Sequence, residues 1–304
     1  MLTIVIPAYN HEAYVIECLA AARELALPGV KVLIIDDGSK DATLSVVRQY
    51  MAEYPSDSVD VIAKSNGGLV SSLILALSIV DTAYFYIVAS DDVPIAQGLM
   101  ACVGLLEKNP DAQFCIAGGV NYFPENPTLD SPVYGEGHSR FFALPESKRS
   151  QALFLDYPQP ILLQSTVFRT SALRAIGGWD HNLLLDDYPT FVKMLTRYPV
   201  VGKDFLFKPD TWVVKYRQHG TNSYKNVERH FFIVKQMFDT LAPYDLHAKA
   251  LGKVLILHFL GAVRSGQIKK GTHLLKGHSV QVYWQAALYL VRFTVRYISV
   301  KIKR

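Results

Sequence analysis

The chain has 304 residues, half of them hydrophobic, and no low-complexity stretch, which excludes a disordered or fibrous protein and leaves room for a sizeable core. Its net charge of +4 hides an asymmetry. Residues 1–227 carry 18 Lys and Arg against 24 Asp and Glu, a net of −6, whereas residues 228–304 carry 13 against 3, a net of +10. An acidic front part argues against a nucleic-acid enzyme, whose contact surface should be basic.

Strands and helices alternate through the first 120 residues. Thr3–Ala8 reads as a strand, Glu12–Leu25 as a helix, and Val30–Ile35 as a strand running into Asp36-Asp37-Gly38-Ser39. Ala42–Tyr54 is helical, Val59–Ala63 extended, and Leu69–Val80 helical. Ala83–Ala89 is an apolar strand ending on Ser90, Asp91 and Asp92. Pro94–Leu106 is a helix and Gln113–Gly118 a strand. This order predicts an α/β fold with a mostly parallel sheet and helices on both faces. Residues 120–148 lose periodicity and collect Pro, Gly, Asn and Ser, which reads as a long loop.

The three cysteines, Cys18, Cys102 and Cys115, have no metal-like spacing and read as small core residues in a reducing compartment. The N-terminus enters an apolar strand at once, so no secretory signal is expected.

Strands one, two and four deliver polar groups to one edge of the sheet. Pro7-Ala8-Tyr9-Asn10 breaks the first, Asp36 and Asp37 end the second, and Asp91 and Asp92 follow the fourth, while Asn66-Gly67-Gly68 follows the third. Ligands of open α/β sheets bind outside the carboxyl ends of the strands. Adjacent carboxylates repel unless a cation relieves them, and all-oxygen ligands favour Mg²⁺ or Mn²⁺. The residues alone therefore allow a metal–diphosphate site at Asp91 and Asp92, or an acidic turn capping the next helix.

In combination and order, Val5-Ile6-Pro7-Ala8-Tyr9-Asn10, Ile35-Asp36-Asp37-Gly38-Ser39-Lys40-Asp41-Ala42-Thr43 and Ser90-Asp91-Asp92 resemble the family 2 glycosyltransferases with the A-type nucleotide-sugar fold, over roughly residues 1–220. The resemblance implies that Pro7, Ala8, Tyr9, Asn10 and Asp37 hold the nucleotide, joined by Asn66, Gly68 and Asp91. Asp92 would be the principal ligand of Mn²⁺ or Mg²⁺, beside Asp91. The chain departs from the family pattern where Ala89 stands in place of a further Asp, and where Ser72-Leu73-Ile74 replaces Ala-Arg-Asn.

Further along, Ile161–Phe168 reads as a strand, Arg169–Ile176 as a short helix and Gly177-Gly178 as its stop. Asp186 and Asp187 open a helix running to Tyr198. By resemblance Asp187 is the base that takes the acceptor proton in an inverting transfer, with Asp186 and Trp179 on the acceptor side. Helix capping for the acids and core packing for Trp179 account for the same residues. Trp212–His219 reads as a strand, similar to the family's Tyr-Arg-x-His segment, with Arg217 placed to meet phosphate and His219 to complete the metal shell.

The implied architecture is a catalytic domain over residues 1–227 with a basic helical extension over 228–304. In the extension, Glu228–Leu241 and His247–Arg264 read as helices, with one or two more to the end. In the last of them Leu288, Val291, Val295, Ile298 and Ile302 fall at helical spacing beside Arg292, Arg296, Ser299 and Lys303. That pattern suits a helix lying on an anionic membrane surface, and equally one packed on the protein with its charges in water.

The function expected is transfer of a sugar from a nucleotide-sugar donor, UDP-linked, to a saccharide or lipid-linked saccharide during surface polysaccharide synthesis. The setting expected is the cytoplasm or the inner face of its membrane, without nucleic acid as partner. Rival readings are a sugar-phosphate nucleotidyltransferase, which should carry a Gly-rich basic loop after the first strand, and a non-catalytic saccharide-binding protein.

Overall fold

A computed structural model describes residues 1–24, 29–218 and 227–302, with side chains up to residue 295. The chain divides into two compact units, Met1–Glu146 with Pro158–Gly220, and Ser147–Tyr157 with Thr221–Arg304. The second therefore takes in a short segment that the sequence places before the catalytic domain is complete.

The first unit is built on a mixed nine-stranded sheet. Its parallel half comprises β3 (Val59–Ala63), β2 (Val30–Asp36), β1 (Leu2–Ala8) and β4 (Tyr84–Ile87), in that spatial order. Every residue of β1 and β4 is buried, as expected of near-continuous apolar strands covered on both faces. Register brings the strand ends level: Ala8 pairs with Asp36, and Asp36 with Ala63. Beyond β4 the direction reverses. β8 (Thr166–Arg169) runs antiparallel to both β4 and β6 (Phe114–Tyr122), and β9 (Phe205–Arg217) lies parallel to β6. Its helices are α1 (Val15–Arg23), α2 (Thr43–Glu53), α3 (Leu69–Ile79), α4 (Ala96–Lys108), α5 (Glu136–Phe142), α7 (Thr170–Ala175) and α8 (Asp187–Arg197), whereas α6 (Glu146–Leu155) belongs, but for its first residue, to the second unit. All three cysteines are buried and unpaired.

Of the strand expected over Ile161–Phe168 only Thr166–Phe168 lies in a strand, after a 3-10 turn at Leu163–Ser165; two other expectations change as well. The helix expected from Pro94 starts at Ala96, because Val93-Pro94 forms a two-residue strand, β5, against Val214 and Lys215 of β9. A proline fits there because a short edge strand leaves an N–H that needs no partner. The stretch expected as a loop over 120–148 is substantially structured. β6 continues to Tyr122, Ser131-Pro132 (β7) pairs with it, and α5 follows. Buried Val133, Tyr134, Phe141 and Phe142 supply the cause, with the Phe142 and Phe207 ring centroids 4.2 Å apart. Apolar side chains spaced irregularly among Gly and Pro leave no period to read.

The second unit is helical: α9 (Val227–Leu241), α10 (Tyr244–Arg264), α11 (Ile268–Leu274) and α12 (Val280–Ile302). Buried Leu251, Leu255 and Ile256 make α10 its core helix. Lys253 of α10 reaches the Leu155 carbonyl and Asp156, at 2.9 Å, which ties the 147–157 segment into this unit.

β6 and β9 meet at an irregularity, where Ala117 pairs with Lys208 but Gly118 with Trp212 and Gly119 with Val214. The extra residues of β9 bulge over Gly118, where a Cβ would lie 1.9 Å from the Pro209 carbonyl oxygen. At Gly98 of α4 a Cβ would lie 1.9 Å from the Trp212 oxygen, so α4 seats directly on the β9 backbone. Gly118→Ala and Gly98→Ala should each destabilise the fold by roughly 1–3 kcal/mol or more, read as a lowered melting temperature, whereas Gly104→Ala, with open space at its Cβ, should leave it unchanged or raise it.

Candidate active site at the carboxyl edge of the sheet

Two turns meet above β1 and β2. Asn10 adopts φ 55°, unusual for a non-glycine residue, and its side chain explains how it is held: Oδ1 accepts from the Lys40 N–H at 2.8 Å while its own N–H donates to Ser39 Oγ at 3.0 Å. The His11 N–H donates to Thr43 Oγ1 at 2.8 Å, and the Ala42 N–H to Glu12 at 2.6 Å. Tyr9 and Asn10 are exposed, whereas Pro7 and Ala8 are buried within β1.

Asp37 is buried and acts on the third turn. Its two carboxylate oxygens accept from the Gly67 and Gly68 N–H groups at 2.9 and 2.8 Å, and Lys64 pairs with it. Asn66 Nδ2 donates to the Asp37 carbonyl at 2.9 Å, and the Asp37 N–H to the Ala8 carbonyl at 2.9 Å. Gly38, at φ 69°, passes so close to this turn that a Cβ would meet the Asn66 nitrogen at 2.8 Å. Pro7–Asn10, Asp37, Asn66 and Gly68 are thus brought together. Asp36 behaves differently: one oxygen accepts from the Ser39 N–H at 3.2 Å, and the other is buried without a partner.

His11 links these turns to the acidic pair after β4. Its Nδ1 lies 2.8 Å from Ser90 Oγ and its Nε2 3.8 Å from the Asp91 carboxylate. Asp92 is 1% exposed. Its Oδ1 accepts from the Arg217 N–H at 2.8 Å and its Oδ2 from Gln164 Nε2 at 3.1 Å. Burial, and then the charge of Asp91, push its carboxyl well above the usual range. Arg217 is buried as well. Its Nε donates to the Asp91 carbonyl at 2.7 Å, its guanidinium pairs with Glu17 at 2.5 Å, and it lies between the rings of Tyr14 and Tyr122, 5.2 and 5.1 Å from their centroids. The residue expected to meet phosphate therefore holds protein groups in place. His219 lies outside the described residues.

The third acidic group sits at the start of α8. Trp179 is buried beside Phe85, and its indole N–H donates to the Asp186 carbonyl at 3.3 Å, which also receives the Thr190 hydroxyl at 2.6 Å. With its ring in the core, Trp179 fixes the acidic pair in place. Burial, then repulsion from Asp186, raise the Asp187 carboxyl to about 7. Consecutive residues connect this corner to Asp92. Gln164 faces Asp92, whereas Ser165 Oγ lies 2.5 Å from the Tyr134 hydroxyl, and Tyr134 lies in the field of Asp187.

The carboxylates suit a hard divalent ion in part. Among the described residues no three His, Cys, Asp or Glu side chains form a ready-made cage. Mg²⁺-like ions, however, take one or two carboxylates and complete their shell with phosphate oxygens and water. A buried Asp92 raised by its neighbour is a donor that a cation would relieve.

Sequence reasoning missed His11, Gln164, Glu17 and Tyr134. Only Gln164 left a signal, as a polar residue inside an apolar run.

A sheet whose parallel half gathers acids at its carboxyl edge defines an α/β protein with a ligand site at that edge. The Glycosyl transferase family 2 profile matches residues 3–168, more than half of the chain, and the chain belongs to that family. An uncharacterised glycosyltransferase of Haemophilus influenzae is 22% identical over 307 residues, 98% of this chain and 90% of that one. One from Rickettsia typhi is 24% identical over 202 residues, 64% and 58% of the two chains. The Escherichia coli chondroitin synthase is 29% identical over 109 residues, 36% of this chain and 16% of that one. This chain thus spans less than two thirds of the first curated relatives it matches.

Among solved structures, Staphylococcus aureus TarS 1–349 in complex with UDP-GlcNAc superposes with TM-score 0.62 at 15% identity, covering 90% of this chain and 79% of that one. The mannosyltransferase PcManGT of Pyrobaculum calidifontis, in complex with GDP-Man and Mn²⁺, gives 0.58 at 17% identity, covering 98% and 86%. These likenesses show the A-type fold expected from the sequence, its sheet mostly parallel and joined to the helical region α9–α12.

Arg217→Met keeps the bulk of the side chain but leaves Glu17 and the Asp91 carbonyl without their donor. It should lower stability by about 3 kcal/mol or less, since Glu17 is half exposed, and should abolish donor binding measured by calorimetry, because the Asp91–Asp92 turn loses its anchor.

Proposed function

We propose that the protein is an inverting, divalent-metal-dependent transferase that moves a sugar from a UDP-linked donor to a saccharide or lipid-linked saccharide in surface polysaccharide synthesis. One observation carries this reading: acids from two separate strand ends, Asp37 and Asp92, are each held by other protein groups at the carboxyl edge, and a third, Asp187, has its carboxyl raised by burial beside Asp186. Asp37 is tied to the β1 turn through the Ala8 carbonyl, His11 bridges that turn to Ser90 and Asp91, and Arg217 and Gln164 hold Asp92.

In this reading the nucleotide lies against Pro7–Asn10 and the turn that Asp37 holds closed, where Asn66 and Gly68 present polar backbone and side chain. Asp91 and Asp92 hold Mn²⁺ or Mg²⁺, which when bound neutralises charge growing on the departing diphosphate. Asp187 accepts the proton of the acceptor hydroxyl as its oxygen bonds to the sugar's anomeric carbon. The bond from that carbon to diphosphate oxygen breaks on the opposite face, and the nucleoside diphosphate leaves. A carboxyl raised to about 7 suits this work, because a base is most effective near the working pH. Asp186 and Trp179 keep it aimed. TarS is seen with UDP-GlcNAc and PcManGT with GDP-Man and Mn²⁺, which supports a nucleotide-sugar and a metal at this edge while leaving the base to direct test.

The test is a donor screen read by released nucleoside diphosphate, with and without Mn²⁺, together with melting shifts on adding UDP or GDP. A UDP-linked donor should turn over only with metal present. Turnover after exhaustive chelation would remove the metal from the reading, and a shift with GDP alone would reassign the base.

Asp187 also makes a two-sided prediction. As a base it must be ionised, so transfer should rise with pH through about 7. Its folded carboxyl binds a proton more tightly than the unfolded one, so its contribution to stability is full below the ordinary carboxylate range and is lost as pH climbs to about 7. Asp187→Asn should therefore abolish transfer yet raise the melting temperature at pH 8, with no such gain at pH 4. Gln164→Leu, which takes a donor from Asp92 Oδ2, should raise the Mn²⁺ concentration for half-maximal turnover by roughly 10–100-fold.

A further inference from the structure

α12 has two apolar faces and uses only one. Val282 and Ala286 are buried against α10, where Gly252 lets the helices approach so closely that a Cβ would lie 2.8 Å from the Ala286 nitrogen. On the opposite side Val280, Trp284, Leu288, Val291 and Val295 fall within roughly 80° of arc at 100° per residue. Four of these are among the most exposed apolar side chains of the protein: Val280 83%, Trp284 63%, Val291 60% and Val295 62%. An exposed stripe of this length demands an occupant, since isolated apolar side chains are ordinary on a surface but a continuous row is not.

Charge says which occupant. No Asp or Glu follows Asp245, while eleven Lys and Arg do, among them Arg292 beside the stripe and Lys269 and Lys270 on α11. A second copy would bring the same excess of positive charge to the contact and be repelled by it. An anionic lipid surface answers both features. Its acyl boundary accepts the apolar stripe, its headgroups attract the cations, and a tryptophan on the row suits the interface between them.

We propose that α12 lies flat on an anionic membrane, with Val280, Trp284, Leu288, Val291 and Val295 inserted at the headgroup boundary. The inference stands on the second unit alone and does not depend on the donor, acceptor or metal assigned to the first.

Flotation of the full chain with vesicles tests it. The protein should float with phosphatidylcholine vesicles containing phosphatidylglycerol, and roughly tenfold less with phosphatidylcholine alone or at high salt. Trp284→Glu combined with Val291→Glu should lose flotation by a similar factor. Arg292→Glu should weaken it with the apolar row intact. All these side chains are exposed, and unchanged melting curves with retained donor turnover in solution would confirm that the variants fold. The blue shift of tryptophan emission on adding anionic vesicles should disappear in Trp284→Phe, although Trp179 and Trp212 remain. Absence of flotation, equal flotation of the double Glu variant, or equal affinity for neutral vesicles would overturn the proposal. So would a concentration-dependent dimer that Trp284→Glu disperses, which would assign the stripe to a second copy.

Discussion

A carboxylate sealed from water at the end of a buried strand is the constraint around which the catalytic unit is arranged. Asp92 has almost no contact with solvent, and Asp91 stands next to it. An ionised group in that position is costly unless donors reach it. The two that do come from far along the chain, Gln164 just before β8 and the N–H of Arg217 at the end of β9. The reversed half of the sheet can be understood through this requirement. β5 pairs with β9 within two residues of Asp92, so the turn carrying the acids and the strand supplying the donor are hydrogen-bonded to each other. Gly98 and Gly118 let α4 and β6 close around the same strand. Arg217 then contributes twice, by its backbone to Asp92 and by its guanidinium to the Asp91 carbonyl.

Asp37 and Asp92 solve the same burial problem in different ways. Two backbone N–H groups and Lys64 meet the Asp37 carboxylate, so its charge is compensated from within the chain. Its consequence is rigidity, because the Asn66-Gly67-Gly68 turn is held against the end of β2. Asp92 receives two neutral donors and faces a second carboxylate, so its compensation is incomplete. The shortfall of positive charge is therefore local to the Asp91–Asp92 turn and does not extend along the whole edge.

Much of the parallel half was legible because its strands are continuous apolar runs ending in abrupt polar residues, a contrast that survives without any knowledge of contacts. β1, β2 and β3 begin or end within a residue or so of the positions their sequence suggests, and the acids appear at the ends of β2 and β4 as the alternation of elements implies. The region after β6 was not legible. Tyr134, Phe141 and Phe142 are core residues, but they are separated by Gly, Pro and polar residues, so neither a period of 2 nor of 3.6 emerges. The same holds for the partners of the acids. His11 acts on Ser90, 79 residues away, and Arg217 on Glu17, 200 residues away. Such pairs are fixed by topology, and a single sequence carries no trace of them. Trp179 shows the complementary limit: an aromatic beside a catalytic motif reads as a platform for a sugar, while its burial and its bond to Asp186 make it a prop.

Asp92 and Asp187 are raised by different surroundings. At Asp92 the rise comes first from near-complete burial and then from the charge of Asp91, against which the Arg217 N–H and Gln164 act. At Asp187 it stops at about 7, because the Tyr188 N–H still stabilises the anion. A group at that level can shed its proton and regain it within the physiological range, as turnover requires of a base. Environment thus sets chemically identical side chains apart, and the difference follows from which donors the fold delivers to each.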